Sequence, residues 1–388
     1  MFAFPVPPTV RALHDRLREL VLAGQGDRAP STLRIPNAHY TDPAIAAAEL
    51  RTSFGAPLLV TPALAVPEPG DYITMQLVDL PVIVTRDADV RVHVFVNACR
   101  HRGANVAEGD GCTRRFTCPY HAWVYDSTGA LVGQPGSAGF DDRDPATLGL
   151  VELPSEVRHG FVWALRDPNG VLDLDDHLGP LGDELASWGY DYHVGSTLEL
   201  DLASNWKCAL EAFTETYHFP VVHKNSMVGM GSISDIVTSD QFGRHHRLGV
   251  PIRTMRDGEP GEPTSEHMTV IYYMYPNSVF AASVLGGELL QFVPGDTPGT
   301  CRVRHSALSR IPVEGDVAAF YADYVPKIQA IVRDEDAVVL ESSGRGLAAG
   351  CTDVILGRNE VGCQAAHRQL LADLERDGII EDAGAFAN

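Results

Sequence analysis

Two short cysteine–histidine pairs place the strongest constraint on what this chain can fold into. Cys99 and His101 form Cys-x-His, and after sixteen intervening residues Cys118 and His121 form Cys-x-x-His. Two thiolates and two imidazoles can close a tetrahedral zinc site that only stabilises a fold. The same donors can instead hold a Rieske-type [2Fe–2S] cluster, in which two histidines bind one iron and two cysteines bind the other.

The segments around the two pairs favour the cluster. The alternating run 80–97, broken by an Asp-rich turn, predicts a hairpin that leads directly into Cys99. A second hairpin is predicted over 116–133, and it carries Cys118 and His121. Both pairs would then lie on loops beside antiparallel strands, whereas a zinc finger of the ββα type places its histidines on a helix.

The charge of the chain argues against a zinc-dependent nucleic-acid binder. The net charge is −21 at pH 7, and an acidic surface is repelled by phosphates, so we expect no nucleic-acid partner. Four arginines nevertheless lie close to the cysteine–histidine pairs: Arg100, Arg102, Arg114 and Arg115. They either offset the charge of thiolates and cluster or form a small basic docking surface for an acidic redox partner.

Changes along the sequence predict three segments and an α+β fold. Residues 1–52 carry helical apolar spacing, and we expect their helices to pack with the C-terminal domain. Residues 53–168 form a β-rich domain that ends near the breaker Asp-Pro-Asn-Gly, and 169–388 combine helices with antiparallel strands. No run of about 18–20 apolar residues is present, which predicts no membrane partner. Seven scattered cysteines predict a reducing, cytoplasmic location.

A second concentration of metal-binding side chains begins at 205–219, which we expect to form a helix. On that helix Glu211, Glu215 and His218 share one face, and the proline that follows lets His223 turn back towards them. Two imidazoles and one carboxylate form the facial triad of non-haem Fe(II) oxygenases. A histidine on an apolar helix face is also commonly a core residue, so the hypothesis depends on both constellations occurring in one chain.

The third ligand is expected from a helical segment near the C-terminal end of the sequence. Two helices, 314–325 and 327–342, are predicted on either side of Pro326. The second helix offers a run of three successive carboxylates, Asp334, Glu335 and Asp336. Charges are costly to bury unless they are paired or metal-bound, so at least one of the three should have a partner. The alternative is that these carboxylates simply lie in solvent at the start of a helix.

Over nearly its full length the chain resembles the large (α) subunit of Rieske non-haem iron oxygenases, the aromatic ring-hydroxylating dioxygenase family. The family's cluster motif is matched by Cys99, His101, Cys118 and His121, followed by Trp123 and Tyr125. Asn-Trp-Lys followed by Tyr-His-x4-His is matched at 205–223, which implies His218 and His223 as iron ligands. A Glu-Asp pair implies Asp336 as the third ligand, with Asp334 as the open alternative.

The chain departs from the family pattern at three places. Many ring-dihydroxylating members have Asp where this chain has Glu215, and an Asn common three residues earlier is Ala212 here. The usual Gln-Arg-Gly after the third ligand is 344–346, Gly-Arg-Gly. The departures leave the reaction subtype open, and by analogy Glu215 slightly favours monooxygenation or demethylation.

The resemblance implies one Rieske [2Fe–2S] cluster and one mononuclear Fe(II) per subunit, with a helix-grip (START-like) sheet in the catalytic domain. It implies a homotrimer in which Glu215 accepts hydrogen bonds from His121 of one subunit and His218 of the next. Electrons would come from NAD(P)H through a separate reductase, with or without a ferredoxin.

The implied activity is hydroxylation, dihydroxylation or demethylation of a small aromatic or N-methyl amine substrate with O2, as in aromatic hydrocarbon catabolism. The substrate cavity is expected between 210–235 and the strands of 270–292. Candidate lining residues are Phe213, Met227, Met230, Tyr273, Tyr275 and Phe292. The alternative hypothesis is a Rieske electron-transfer or sensor protein without oxygenase activity.

Overall fold

The computed structural model describes residues 6–190, 192–257, 266–283, 286–350 and 352–380. The chain divides into two compact units, one formed by Met1–Phe54 together with Asp175–Asn388 and the other by Gly55–Leu174. The limits predicted for the β-rich domain, 53 and 168, lie two and six residues from those of the smaller unit. Within the described ranges no helix is long and apolar enough to cross a membrane.

The secondary structure alternates short strands with helices of four to seventeen residues. The helices, in chain order, are α1 (Arg11–Ala23), α2 (Ala38–Thr41), α3 (Pro43–Arg51), α4 (Leu174–Leu178), α5 (Pro180–Trp188), α6 (Trp206–Ala212), α7 (Phe219–Val222), α8 (Thr254–Asp257), α9 (Gly315–Ile331), α10 (Ala337–Ala348) and α11 (Val361–Arg376). The strands, in chain order, are β1 (Leu33–Ile35), β2 (Leu58–Pro62), β3 (Asp71–Leu77), β4 (Leu80–Arg86), β5 (Val92–Val96), β6 (Asp110–Cys112), β7 (Arg115–Thr117), β8 (Val124–Asp126), β9 (Leu131–Gly133), β10 (Ser155–Arg158), β11 (Phe161–Ala164), β12 (Tyr192–Leu202), β13 (Thr238–Phe242), β14 (His245–Pro251), β15 (Met268–Met274), β16 (Ser278–Ser283), β17 (Gly286–Pro294), β18 (Cys301–Ser309) and β19 (Val354–Leu356).

The smaller unit is built from short antiparallel strands. They form sheets in the orders β5-β4-β3-β6, β7-β8-β9 and β10-β11-β2. The β-branched run of β4 buries Val82, Ile83 and Val84, and the carboxylate of Asp87 accepts backbone N–H groups in the turn that leads to β5. Both hairpins expected from the sequence, β4–β5 and β8–β9, are present.

The larger unit contains an antiparallel sheet in the order β12-β18-β17-β16-β15-β14-β13. From β13 to β18 each strand pairs with the next one in the sequence, and β12 closes one edge by pairing with β18. Tyr272, Phe280, Leu289 and Val303 are among its buried side chains. Helix α6 packs on β17 and β18, and α11 packs on β14. The expected α+β fold with a large antiparallel sheet is confirmed.

The helix predicted over 205–219 is wrong in its length, because α6 ends at Ala212. The hydroxyl of Thr214 donates to the carbonyl oxygen of Glu211, which competes with continued helical bonding. The carboxylate of Glu215 accepts the backbone N–H groups of Tyr217 and His218 and so stabilises a turn instead. The side chains that follow α6 therefore do not lie on one helical face.

The predicted break at Pro326 is also wrong, because α9 continues through this proline to Ile331. Tyr321, Val325 and Ile328 are buried on either side of it, and this packing offsets the one N–H that proline lacks. The irregularity comes later, in a π-helical turn over Val332–Asp336. Such turns are rare and commonly occur at functional sites. This one carries Asp334, Glu335 and Asp336.

Candidate metal centres

The first candidate centre lies on two loops of the smaller unit, one after β5 and one between β7 and β8. In the first loop the N–H of Cys99 donates to Ala104 at 2.8 Å, and the carbonyl oxygen of Cys99 accepts from Gly103 at 2.9 Å. In the second loop Cys118 donates to the carbonyl oxygen of Trp123 at 2.8 Å. These tight turns fix the two cysteine backbones through local hydrogen bonds.

The donor atoms of this centre suit an iron–sulfur cluster. Cys99 and Cys118 are buried and form no disulfide. The rings of His101 and His121 lie 4.5 Å apart, and His101 stacks on Trp123 at 5.0 Å. The Nδ1 atom of His101 is buried and makes no hydrogen bond among the described residues. A buried nitrogen without a partner costs free energy, and a metal ion at this position would remove that cost.

The spacing of the four donors does not suit a single zinc ion. In a tetrahedral zinc site all ligand atoms lie roughly 3.3–3.8 Å apart, given bond lengths of about 2.0–2.3 Å. Among the described residues, no three of Cys99, His101, Cys118 and His121 bring their ligand atoms within 4.8 Å of one another. In a [2Fe–2S] cluster two irons separate the thiolate pair from the imidazole pair, so the four donors do not have to converge on one point.

Hydrogen bonds and charge complete this centre. The hydroxyl of Tyr125 lies 3.3 Å from Sγ of Cys99 and accepts the N–H of Arg100 at 3.0 Å. Hydrogen bonds to a ligating sulfur are one of the levers that set a cluster's reduction potential. Desolvation and the neighbouring His121 both lower the pKa of His101, which favours the neutral imidazole that binds metals.

The second candidate centre lies in the larger unit, where α6 and α7 meet the π-helical turn. His218 precedes α7, and His223 follows its last residue. The two imidazoles and the carboxylate of Asp336 bring their ligand atoms within 4.8 Å of one another. Oδ1 of Asp336 lies 3.0 Å from Nε2 of His223 and 3.7 Å from Nε2 of His218.

Each histidine of this group has a carboxylate on its other ring nitrogen. Nδ1 of His218 contacts Oε1 of Glu215, and Nδ1 of His223 lies 2.7 Å from Oε2 of Glu335. The hydroxyl of Ser226 donates to the same oxygen of Glu335 at 2.7 Å. A carboxylate behind a metal-binding histidine fixes the ring orientation, and Nε2 of both rings is left to face Asp336.

The carboxylates of the π-helical turn differ in their surroundings. Asp334 is 59% exposed and bonds to its neighbour Arg333, whereas the side chain of Asp336 is 6% exposed. Burial lowers the pKa of His223, but the hydrogen bonds to Asp336 and Glu335 outweigh it, so the pKa is raised. The turn therefore aims two of its three carboxylates at the histidines and leaves Asp334 in solvent. Sequence reasoning did not assign a partner to Glu335, although its place beside Asp336 was a signal.

A largely apolar cavity adjoins the second centre. The centre of a water molecule can reach about 100 Å³ of it, and His218, His223 and Asp336 form part of its wall. Of the residues expected in the wall, Phe213 and Met227 line the cavity. The others are not among its lining residues: Met230 is 51% exposed, Tyr273 bonds to Pro276, Tyr275 bonds to Asp373, and Phe292 packs behind Phe213.

The fold and the two donor sets suit a Rieske protein with a second, mononuclear iron centre. A profile described as "Rieske [2Fe-2S] domain" matches residues 57–147, and one described as "Ring hydroxylating alpha subunit (catalytic domain)" matches residues 190–375. The chain thus carries both domains of the ring-hydroxylating alpha subunits. Its two domains imply one [2Fe–2S] cluster and one mononuclear iron.

Relatives of this chain oxidise different kinds of molecule, judged by their names. It is 31% identical over 231 residues to the glycine betaine monooxygenase oxygenase subunit of Chromohalobacter salexigens, covering 58% of this chain and 50% of that protein. It is 31% identical over 232 residues to the benzene 1,2-dioxygenase subunit alpha of Pseudomonas putida, covering 55% and 50%. The chain thus spans about half the length of the curated relatives it matches.

A solved structure supports the fold over most of the chain. The quaternary ammonium Rieske monooxygenase CntA, in complex with an inhibitor, superposes with a TM-score of 0.75 and covers 89% of this chain and 95% of that one. The sequence identity is 20%, so the likeness concerns the fold alone.

Proposed function

We propose that this chain is the terminal oxygenase component of a Rieske-type system. It uses O2 and electrons from an NAD(P)H-dependent reductase to hydroxylate, dihydroxylate or demethylate a small organic substrate. The observation that carries the proposal is the convergence of His218, His223 and Asp336 within 4.8 Å at the wall of an apolar cavity. A protein that only transfers or senses electrons needs the cluster but has no use for this second group.

Separate sets of residues hold the metals and the substrate. Cys99, His101, Cys118 and His121 hold the cluster, and the group at the cavity holds Fe(II) through two imidazoles and one carboxylate. When bound, the cluster supplies single electrons and the mononuclear iron supplies the activation of O2. The apolar wall excludes water and positions the substrate carbon beside the open side of the ligand group.

Glu215 has a second role in this proposal. In the described chain it accepts from Nδ1 of His218 and from the backbone N–H of Tyr217, which holds its carboxylate in one orientation. His121 is exposed on the smaller unit. We propose that in a homotrimer Glu215 also accepts from His121 of a neighbouring copy, so that one carboxylate links the two metal centres. An exposed imidazole and a preoriented carboxylate support this arrangement.

The partners follow from the same proposal. Electrons enter from an NAD(P)H reductase, directly or through a ferredoxin, and the exposed Arg100, Arg102, Arg114 and Arg115 would suit an acidic carrier. Relatives are named for glycine betaine, choline, benzene and anthranilate, so both aromatic and N-methyl substrates are in scope. Free thiols at Cys208, Cys301 and Cys363 support a reducing, cytoplasmic location. The domain limits 1–52, 53–168 and 169–388 belong to this proposal as well.

Oxygen consumption tests the function directly. Protein loaded with both cofactors and supplied with NADH and a surrogate reductase is screened against aromatic acids, aromatic hydrocarbons, and tertiary and quaternary amines. We expect substrate-dependent O2 uptake with at least one class, and none from His223→Ala with its cluster intact. If the cluster cycles normally between its redox states and no class stimulates uptake, the electron-transfer alternative is favoured.

A further inference from the structure

One carboxylate in the cavity has no part in holding metal. Glu288 lies on β17, with Ala281 of β16 on one side and Ala307 of β18 on the other, well inside the sheet. Its side chain is 17% exposed, and it lines the same cavity as the metal-binding group. The wall around it is made mainly of aliphatic side chains, among them Val279, Ala281, Leu290, Ile328, Ile331 and Val332.

The charge of Glu288 is only partly compensated. Tyr324 donates its hydroxyl to Oε1, and Nε2 of His305 lies 3.5 Å from Oε2. His305 is fully buried, and neither of its ring nitrogens makes a hydrogen bond among the described residues. Among the described residues, Glu288 forms no ion pair with a lysine or an arginine. A carboxylate in apolar surroundings is costly without a cation, so Oε2 is left to accept a donor that enters the cavity.

The helix that lines the cavity separates Glu288 from the metal-binding group. Tyr324, Ile328, Val332 and Asp336 follow one another at four-residue intervals along α9 and the π-helical turn. Eight residues at about 1.5 Å each place Tyr324 roughly 12 Å along the helix from Val332, where the π-helical turn that carries Asp336 begins. Because Tyr324 bonds to Glu288, the carboxylate belongs to the far end of this helical wall.

Strand β17 also indicates that Glu288 lies away from the metal-binding group. Glu288 and Phe292 face one side of β17, separated by roughly 13 Å of extended strand. The ring of Phe292 packs at 5.3 Å against Phe213, which directly follows α6 and precedes the loop of His218. The end of β17 that carries Phe292 therefore lies towards the metal-binding group, and Glu288 lies away from it.

We propose that Glu288 selects a substrate that carries a protonated amino group. The ammonium binds at Oε2 of Glu288, and the carbon skeleton lies along the aliphatic wall with the carbon to be oxidised at the ligand end. The inference rests on the proposed oxygenase function and narrows its substrate class. Primary and secondary amines are protonated at pH 7 and bring N–H donors that a carboxylate can accept.

The wall favours an N–H ammonium over a quaternary one. Quaternary ammonium groups are recognised by the faces of aromatic rings. Among the described lining residues, phenyl rings are contributed by Phe213 and Phe219. Both lie within five residues of His218 in the sequence. The Glu288 end offers a carboxylate, which gains a hydrogen bond only from a nitrogen that carries hydrogen.

Equilibrium binding to protein loaded with both cofactors tests the inference. Calorimetry compares n-butylamine to n-octylamine with the alcohols of equal length and with the corresponding alkyltrimethylammonium ions. A charged hydrogen bond strengthens binding more than a neutral one does, so we expect at least one amine to bind about tenfold or more tighter than its alcohol. Glu288→Gln should remove that preference and leave alcohol binding within about twofold. Asp323→Asn, at an exposed carboxylate on α9 next to Tyr324, is the control.

Three outcomes would overturn the inference. They are amines that bind no tighter than alcohols, an amine preference that survives in Glu288→Gln, and trimethylammonium ions that match the amines. If Glu288→Gln does not fold, Tyr324→Phe removes only the donor to Oε1 and should shift amine affinity while alcohol affinity stays unchanged. Iron and sulfide are counted in every sample. Wild-type protein with both cofactors and no amine preference contradicts this inference alone, whereas protein that retains no mononuclear iron contradicts the proposed function.

Discussion

The Nδ1 atom of His223 lies 2.7 Å from Oε2 of Glu335, the residue directly before Asp336. Two successive residues of the π-helical turn thus serve opposite sides of one imidazole: Asp336 approaches Nε2 at 3.0 Å and Glu335 approaches Nδ1. A regular α-helix turns successive side chains about 100° apart. In the π-helical turn both carboxylates nevertheless reach the same histidine, so this irregular segment carries two groups that contact one imidazole.

Glu335→Ala should therefore weaken iron binding without removing a ligand. Loss of a carboxylate behind a metal-binding histidine typically costs about 10–100-fold in metal affinity. Fe(II) titration of cluster-loaded protein measures the effect at the mononuclear centre. The control is Asp334→Ala, which removes an exposed neighbouring carboxylate paired with Arg333. Equal affinity in the two variants would mean that Glu335 does not support His223.

Asp336→Ala should lose the mononuclear iron and keep the cluster irons. The buried carboxylate of Asp336 is the one that meets both imidazoles, while Asp334 faces solvent. Iron and acid-labile sulfide counts distinguish two irons per chain from three. His223→Ala should give the same count. Three irons and full turnover in Asp336→Ala, together with iron loss in Asp334→Ala, would reassign the third ligand.

Cys118→Ser should bleach the protein and abolish labile sulfide. Cys118 is buried, its backbone is fixed by Trp123, and a serine oxygen is a poor substitute for a thiolate on iron. Visible absorbance and sulfide analysis give the result. Cys112→Ser, at an exposed cysteine on β6, should keep the colour. A brown Cys118→Ser protein with full sulfide would rule out this cysteine as a cluster ligand.

Glu215→Gln should separate metal binding from electron transfer. The amide fills the same volume but cannot accept from two N–H groups as a carboxylate does. We expect three irons and an intact oligomer, with a cluster that is reduced by its partner and is not re-oxidised when substrate and O2 are added. Stopped-flow absorbance of the pre-reduced protein follows this step. Re-oxidation at the wild-type rate would leave Glu215 with a structural role only.

Glu211 should make the stability of the larger unit depend on pH. Its Oε1 accepts from Tyr40 at 2.8 Å and lies 3.0 Å from Nδ1 of His367. Burial raises the pKa of Glu211 from 4.5 to about 8. The folded state then keeps a proton that the unfolded state releases above pH 4.5, so the stabilisation is complete below that pH and is lost as the pH rises towards 8.

The thermal midpoint of Glu211→Gln measures this contribution. An amide cannot ionise, so wild-type stability should fall relative to the variant between pH 5 and 8, by at most about 1.4 kcal/mol per pH unit. Glu314→Gln, at an exposed carboxylate, should follow the wild-type profile. Parallel profiles for wild type and Glu211→Gln would show that Glu211 is ionised in the folded protein.

Much of the fold and of both donor sets could be predicted because those signals are local. The turn after β4 is determined by its aspartates, and Cys99 and His101 are two residues apart, so their relation hardly depends on the rest of the chain. The same holds for His218 and His223, which are separated by one short helix. Prediction failed where local signals compete, as at Pro326, whose effect on α9 is overridden by burial of the residues around it.

The sequence by itself determined the types and spacing of the metal donors and the antiparallel texture of the strands, since both follow from neighbours along the chain. Tertiary structure alone decided that Glu335 supports His223 across 112 residues, and that Asp336 rather than Asp334 faces the imidazoles. It also decided that Glu288 lines the cavity. The physical reason is that burial and charge pairing depend on which distant elements pack together. The spacing of residues along the chain contains no information about that packing.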